Sequence, residues 1–324
     1  MEKELLPTKR LGKSTIAITN IVMGTWQAGK RNWVGIEDEE SIAAIRAAIE
    51  GGVNTIDTAE IYGDGHSERI VSTAVGNLRQ QLVYATKVFP NHLKFEQVIT
   101  ACERSLQNLQ TDYLDLYQIH WPSGAFKSEI VPLEETMRAL NLLKEQGKIR
   151  AIGVSNFSLS QLQEACQYGQ IESIQPPYSL FWRSAAAAVQ DYCRAENISI
   201  LAYSSLAQGL LTGKFAANHQ FAPGDHRGSH RLLEPDNYQR VQQALGELRP
   251  IATQYNCTLG QLALAWLISH PQTHAIVGAR SSQQAEENVQ AGEIQISPED
   301  LGKMEAIGRT VTDHLDQNPL QWTF

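Results

Sequence analysis

The 324-residue sequence lacks the features of a secreted or membrane-spanning protein. It contains four cysteines, far apart and without a C-x-x-C pair, at Cys102, Cys166, Cys193 and Cys257. So few thiols in a long chain predict free cysteines packed in helices. No apolar run approaches the roughly 18 residues that a membrane span requires, and residues 1–10 lack the apolar core of a secretory signal. By elimination, we expect a cytoplasmic protein without a membrane partner.

An excess of basic residues is also missing. The chain has 27 Lys and Arg against 35 Asp and Glu, which gives a formal net charge of −8. A general nucleic-acid-binding protein needs a basic face to displace counterions from phosphates. The composition therefore argues against nucleic acid as a partner, and the net charge favours solubility.

The common glycine motifs for binding phosphate are absent. A dinucleotide-binding G-x-G-x-x-G motif begins at 63–65 but has Glu68 where the third glycine belongs. A P-loop pattern at 209–214 has three residues between its glycines instead of four, and then Phe215 where Ser or Thr is needed. The sequence therefore offers no support for a Rossmann fold or a P-loop fold.

Short apolar runs alternate with longer helical patterns along most of the chain. The predicted strands are 21–24, 54–57, 82–87, 113–120, 151–154, 173–175, 199–202 and 274–277. Apolar stripes with helical spacing occur at 37–50, 95–109, 132–146 and 259–269. Eight strand–helix units over about 300 residues predict a (β/α)8 TIM barrel, in a single domain spanning 1–324. An open doubly wound sheet is the alternative.

Two segments interrupt the alternation. Residues 9–20 predict a small β-hairpin before the first barrel strand, and residues 215–237 form a polar insertion without a clear period. A long loop of this kind is typically functional or mobile. Its histidines, His219, His226 and His230, have spacings that suit no common metal site, so we expect solvated side chains and no metal.

Polar residues end three consecutive predicted strands. Active-site residues of such barrels lie at the C-terminal ends of the strands. The second predicted strand ends in Asp57, the third in Lys87 and the fourth in His120, and Tyr62 lies in the loop after Asp57. We therefore predict that these four side chains converge on one rim as a catalytic set.

These residue types suit the reduction of a carbonyl group. Hydride addition creates an alkoxide, and a Tyr hydroxyl can protonate it, although its ordinary pKa is ~10. A Lys ammonium beside the Tyr should lower that pKa, and an Asp carboxylate should hold the Lys in place. A His can donate a hydrogen bond to the carbonyl oxygen.

Four sequence blocks closely resemble the motifs of the aldo-keto reductase family. They are VNTIDTAEIYG at 53–63, ATK at 85–87, DYLDLYQIH at 112–120 and GKIRAIGVSNF at 147–157. The resemblance runs from about Arg10 to Gly308. The blocks at 178–180 and 210–214 are more similar to the bacterial, inositol-operon-type and potassium-channel β-subunit-like branches than to the animal aldose reductases.

The resemblance implies a (β/α)8 fold and reduction of small aldehydes or ketones with NADPH. It places Asp57, Tyr62, Lys87 and His120 in the roles described above. Trp26, Tyr62, His120 and Trp121 are expected in the substrate pocket, and Trp182 is a further candidate for its mouth. Specificity is expected in loops 122–131 and 215–237, and the tail residues Trp322 and Phe324 either fold over the mouth or hang free.

The same resemblance implies a cofactor site along the strand ends. Gly24, Thr25, Trp26 and Asp57 are expected beside the nicotinamide, which Tyr203 would stack against. Ser155, Asn156 and Gln175 would bind its carboxamide. Backbone N–H groups of 204–211 would wrap the pyrophosphate, although Ser205 stands where the family usually has Pro. The residues concerned are Ser204, Ser205, Leu206, Ala207, Gly209 and Leu211, followed by Gly213 and Lys214.

The adenosine end is expected at Gly278, Arg280, Gln284, Glu287 and Asn288. Arg280 is placed to pair with a 2′-phosphate, which favours NADPH over NADH. The alternative function is that of a nucleotide-binding regulatory protein resembling the potassium-channel β-subunits. Because the first strand begins near residue 21, a long N-terminal inactivation segment is not expected, which weakens this alternative. Oligomeric state is left open.

Overall fold

The computed structural model describes residues 6–216, 219–316 and 321. Within these residues the strands are β1 Thr8–Arg10, β2 Ala17–Thr19, β3 Ile21–Gly24, β4 Thr55–Asp57, β5 Val83–Val88, β6 Leu114–Ile119, β7 Ile149–Ser155, β8 Ser173–Gln175, β9 Ser199–Ala202 and β10 Thr273–Gly278. The helices are α1 Asp38–Glu50, α2 His66–Val75, α3 Phe95–Leu109, α4 Leu133–Glu145, α5 Leu159–Tyr168, α6 Ser184–Ala187, α7 Gln190–Glu196, α8 Pro235–Gln254, α9 Leu259–Ile268, α10 Ser282–Gln290 and α11 Pro298–Thr312.

Strands β3 to β10 form a closed barrel of parallel strands. Each pairs with the next along the chain, and β10 closes the ring by pairing with β3, with Gly278 opposite Gly24. The residues of β4, β5 and β6 are all buried, as expected for strands covered by helices outside and side chains inside. The predicted (β/α)8 barrel is therefore confirmed, and the open sheet is excluded.

The predicted N-terminal hairpin is also confirmed, and it closes one end of the barrel. Strands β1 and β2 pair antiparallel. The turn between them contacts the first residues of β9, because the Gly12 N–H donates to the Ser199 hydroxyl at 2.9 Å. Leu11, in the same turn, is fully buried in the barrel core. The hairpin therefore covers the N-terminal ends of the strands, opposite the rim at which they end.

The insertion is more ordered than the sequence suggests. Short 3₁₀ turns occur at His226–Ser229 and Arg231–Leu233, and α8 begins at Pro235, inside the segment predicted as a loop. Proline is well suited to the first position of a helix, because its missing N–H would have no partner there. The prediction that His230 is solvated is wrong: its side chain is 2% exposed.

Trp182 does not line the substrate mouth. A tight turn, in which Ser179 and Trp182 exchange backbone hydrogen bonds, directs the indole into the core, where it is 1% exposed. Its ring lies 6.1 Å from that of His230. The tail residues Trp322 and Phe324 lie outside the described residues.

The four cysteines are free thiols, as predicted. Three of them lie in helices α3, α5 and α7, but Cys257 lies between α8 and α9. In the part of the chain that the structure describes, no helix is long and apolar enough to cross a membrane.

Candidate active site

The four predicted catalytic residues meet at the open rim. Asp57 is the last residue of β4, Lys87 lies near the end of β5, and His120 directly follows β6. The Lys87 ammonium donates to Asp57 Oδ1 at 2.6 Å and to the Thr58 carbonyl at 2.7 Å, and the Lys87 side chain is fully buried. Its Nζ lies 5.2 Å from the centre of the Tyr62 ring. The ion pair therefore lies beneath Tyr62.

The second oxygen of Asp57 is held by two amides. Oδ2 accepts a hydrogen bond from Gln175 Nε2 at 2.9 Å and a longer one from Gln118 Nε2 at 3.4 Å. Gln118 is not among the site residues predicted from the sequence. Gln118 lies two residues before His120, and alternate residues of a strand point to the same face, so this spacing could have identified it.

The pKa of Tyr62 differs from the one expected from the sequence. The pKa of Tyr62 is raised well above 10, first because protein surrounds the phenol and then because Asp57 is negative. The expected lowering by Lys87 is therefore wrong, since the ammonium faces Asp57. Burial, and then the Lys87 cation, hold the pKa of His120 well below 6.5. At neutral pH, Tyr62 is a neutral phenol and His120 a neutral imidazole.

A cavity of about 1000 Å³ opens above these residues and extends across the rim. It brings together most of the predicted site residues: Gly24, Thr25, Trp26, Asp57, Tyr62, His120, Trp121, Ser155, Asn156, Gln175, Tyr203, Ser204, Ser205, Leu206, Gly209, Lys214, Gly278, Arg280, Gln284, Glu287 and Asn288. Four predicted residues do not line it. Lys87 lies beneath the floor, Ala207 and Leu211 are in the core, and Gly213 lies beyond the wall.

The loop predicted to wrap a pyrophosphate bonds partly to itself. The N–H groups of Ala207, Gly209 and Leu211 donate to carbonyls within residues 204–206. Left-handed backbone at Ala207 (φ 47°) and Gln208 (φ 55°) turns the chain back on itself and closes these bonds. Those three N–H groups are therefore engaged within the loop, which corrects the expectation that the whole run presents free donors.

Side chains at the ends of β7, β8 and β9 form a polar wall. The Tyr203 hydroxyl donates to Asn156 Oδ1 at 2.9 Å, and Asn156 Nδ2 donates to the His120 carbonyl at 3.1 Å. The Ser155 hydroxyl donates to the Gln175 carbonyl at 2.8 Å. The predicted carboxamide-binding residues are thus fixed to one another and to the catalytic rim.

Three of the cations that line the cavity act on one another as a cluster: Lys214, Arg227 and Arg280. The guanidinium of Arg280 lies 5.9 Å from the Trp33 ring and donates to the Val34 carbonyl. Burial, followed by the neighbouring cations, lowers the pKa of both Lys214 and Arg280. This mutual repulsion favours an anionic ligand. No pattern in the sequence marks Arg227 as a site residue, because the insertion has no periodicity.

The insertion crosses the cavity and contacts the segment after β3. The His226 ring lies 4.6 Å from Trp26 and 4.7 Å from Trp33, and its Nδ1 is 2.8 Å from the Asn32 carbonyl. His226 lines the cavity, so the prediction of a solvated side chain is wrong here too. Arg227 is held nearby, because its Nε donates to Asp225 Oδ1 at 2.9 Å.

Several buried polar atoms around the cavity have no hydrogen-bond partner among the described residues. They include Trp33 Nε1, Arg280 Nε and both amide atoms of Gln208, and all three residues line the cavity. Buried polar groups are usually paired, so these atoms suit a polar ligand. With the cations at one end and neutral Tyr62 and His120 at the other, the cavity fits an elongated nucleotide with anionic phosphates.

Comparison with known proteins agrees with this geometry. The model of the aldo/keto reductase family matches residues 20–309. The aldo-keto reductase YhdN of Bacillus subtilis is 38% identical over 84% of each chain. The NADH-specific methylglyoxal reductase of Escherichia coli is 34% identical, covering 91% of this chain and 96% of its own. A probable voltage-gated potassium channel subunit beta of rice is 30% identical, with coverages of 92% and 95%.

The fold is shared with solved structures of the same kind. An aldo-keto reductase from Klebsiella pneumoniae, solved in complex with NADPH, superposes with a TM-score of 0.77 at 29% identity over 99% of each chain. Fold and site together define a barrel oxidoreductase. The chain belongs to the aldo/keto reductase family, and the predicted similarity to its bacterial and channel-subunit-like members is confirmed.

Proposed function

We propose that the protein reduces small aldehydes and ketones to alcohols with NADPH, using Tyr62 as the general acid. One observation carries the proposal: the buried Lys87–Asp57 pair lies beneath Tyr62 at one end of a cavity whose other end is cationic. A catalytic phenol at one end and charges for phosphate at the other suit hydride transfer from a phosphorylated nicotinamide nucleotide.

The residues of the cavity fit that cofactor. Arg280 and Lys214 would hold its phosphates, because guanidinium and ammonium groups bind phosphate oxygens by charge and hydrogen bonding. Ser155 and Asn156 would face the carboxamide, with Tyr203 against the ring. When bound, the cofactor supplies the hydride. The complex of the Klebsiella relative with NADPH supports this choice, whereas the NADH-specific relative makes the nucleotide preference worth measuring.

The protein residues supply the proton and orient the carbonyl. Neutral His120 can donate one hydrogen bond to the carbonyl oxygen, and Tyr62 can donate a second. As the oxygen gains negative charge it becomes a stronger base than a phenolate, and it takes the proton of Tyr62. Lys87, whose Nζ lies 5.2 Å from the centre of the Tyr62 ring, holds Asp57 beneath the phenol rather than setting the pKa of Tyr62. Burial lowers the pKa of Lys87, and Asp57, whose Oδ1 lies 2.6 Å from the Lys87 Nζ, opposes that lowering by favouring the charged form of the lysine.

Tyr62→Phe tests the assignment of the acid. Loss of the hydroxyl removes the proton donor, so we expect kcat for methylglyoxal or benzaldehyde to fall by about 10²–10⁴-fold. The affinity for NADPH, measured by fluorescence titration, should be nearly unchanged. Tyr113→Phe is the matched control, because the Tyr113 hydroxyl bonds Gln80, which does not line the cavity. Equal loss of turnover and of NADPH affinity would refute the role of Tyr62.

The second candidate is a nucleotide-binding regulatory protein, which the similarity to the rice channel subunit favours. An absorbance assay separates the reductase from the regulatory protein. It follows the nicotinamide band of NADPH in the presence of aliphatic, aromatic and dicarbonyl substrates. Oxidation of NADPH supports the reductase. Tight NADPH binding without turnover of any carbonyl would support the regulatory role.

A further inference from the structure

We infer that Phe89, fixed in place by Glu60, is a positioning residue that holds the His120 ring for the reaction. This inference rests on the proposed function, in which His120 orients the carbonyl. Phe89 directly follows β5 and is half-buried at the cavity wall.

The orientation of His120 depends on ring packing. Its Nδ1 is buried and has no hydrogen-bond partner among the described residues. A catalytic or metal-binding histidine is commonly oriented by a hydrogen bond to its second ring nitrogen. Here the ring instead has two edge-to-face contacts. The Tyr62 ring lies 5.7 Å away at 80°, and the Phe89 ring lies 5.7 Å away at 79°. Such contacts have a preferred geometry, so they can define the tilt of the imidazole.

Phe89 is itself held by a buried carboxylate. The Phe89 N–H donates to Glu60 Oε1 at 2.7 Å, and the Glu60 side chain is only 4% exposed. Arg104 of α3 balances the charge of Glu60, and the His92 Nδ1 lies 3.0 Å from Glu60 Oε1. Phe126 stacks on Phe89 with ring centres 5.5 Å apart.

Glu60 connects both aromatic neighbours of His120. It lies two residues before Tyr62 in the loop after β4, and its carbonyl accepts the Gly65 N–H at 2.7 Å. The same residue holds Phe89 through its side chain. The loops after β4 and β5 are therefore joined on either side of the imidazole, and a change at Phe89 should loosen the ring without disturbing the Lys87–Asp57 pair.

The kinetic test compares three variants in the full chain with NADPH and a carbonyl that the wild-type protein reduces. Phe89→Leu removes the aromatic edge, and we expect kcat to fall by about 10-fold to 100-fold, the scale of a misplaced catalytic group. The KM for NADPH should be unchanged. Phe89→Tyr keeps the ring and should recover most of the lost kcat. Phe95→Leu, at the start of α3 and outside the cavity, is the matched control and should match the wild type.

A second measurement follows His120 directly, without cofactor or substrate. Histidine ring signals are recorded by NMR against pH, and the signal lost in His120→Asn identifies His120. The titratable groups that face the His120 ring include Tyr62 and Lys87. In the wild-type protein, burial and then the Lys87 cation keep the pKa of His120 well below 6.5. Opening the wall in Phe89→Leu should admit water and move the pKa up towards its ordinary value, while Phe89→Tyr should restore the wild-type titration.

The outcomes separate the inference from the function on which it rests. If the wild-type protein reduces no carbonyl, the proposed function fails, and the NMR titration still decides whether Phe89 holds the ring. If the wild-type protein is active but Phe89→Leu keeps both the kcat and the His120 titration, the inference is overturned. Glu60→Gln keeps an oxygen that can accept from Phe89 and should therefore behave more like the wild type than Phe89→Leu does.

Discussion

At the scale of single residues, the environment of Tyr62 decides its role. Lys87 was expected to lower the pKa of the phenol, yet its ammonium is committed to Asp57 at 2.6 Å and lies below the ring. Burial and the Asp57 charge keep the proton on the phenol. This environment supports the proposal that Tyr62 is a proton donor, which would release its proton only to a base as strong as the forming alkoxide.

Arg280 is predicted to determine the preference for NADPH over NADH. Arg280→Ala should weaken NADPH binding by about 1–3 kcal/mol, the scale of a lost charge-assisted hydrogen bond. NADH, which has no 2′-phosphate, should bind almost as before. Fluorescence titration of both nucleotides measures the difference, and Arg194→Ala, at an exposed position in α7, is the matched control. Equal losses for both nucleotides would contradict the assignment.

At the scale of the elements, the sequence predicted the bounds of those strands and helices that have a clear apolar pattern. Strands β3, β8 and β9 have the predicted bounds, and so does α3, because short buried runs and a clear apolar stripe mark them. Strand ends predicted Asp57, Lys87 and His120, and the loop after Asp57 added Tyr62. The positions of Arg227 and Trp182 were not predicted. They depend on packing between parts of the chain that are distant in sequence, and no local pattern shows that packing.

Helix α5 offers a test of local structure that is remote from the cavity. Its capping box is complete, since the Ser158 hydroxyl accepts from the Gln161 N–H and the Gln161 side chain accepts from the Ser158 N–H. Ser158→Ala should lower the free energy of unfolding by about 0.5–2 kcal/mol, because the Gln161 N–H loses the hydroxyl that accepts its hydrogen bond. Urea unfolding measures the change. Gln163→Ala, exposed within the same helix, should have a smaller effect, and equal effects would argue against a contribution from the cap.

At the scale of the whole molecule, barrel closure assembles a site from distant parts of the sequence. The residues around Asp57 come from β4, β5, β6 and β8, while the clustered cations come from the loop after β9, the insertion and the segment after β10. The hairpin covers the opposite end. The fold thus brings the residues around Asp57 and the clustered cations into one cavity, which residues of the insertion also line.

The closed barrel also predicts how stability depends on pH. His274, in β10, is fully buried with a pKa lowered to about 4, and His230 is buried with a pKa lowered to about 3, in both cases mainly by burial. His274 Nδ1 lies 3.0 Å from the carbonyl of Thr19 in the hairpin, and this bond joins the last strand to that end of the barrel. Both rings are therefore neutral in the folded protein at neutral pH.

Unfolding exposes these rings, and their pKa then returns to about 6.5. Below pH 6.5 the unfolded chain binds more protons than the folded one, so stability falls as the pH is lowered towards 4. Each ring contributes a slope of about 1.4 kcal/mol per pH unit in that window. Urea unfolding at pH 7.5, 6.0 and 5.0 measures the slope. His274→Gln should reduce it by one such contribution, whereas His314→Gln, at an exposed position, should not. An unchanged slope in His274→Gln would show that the buried ring does not resist protonation.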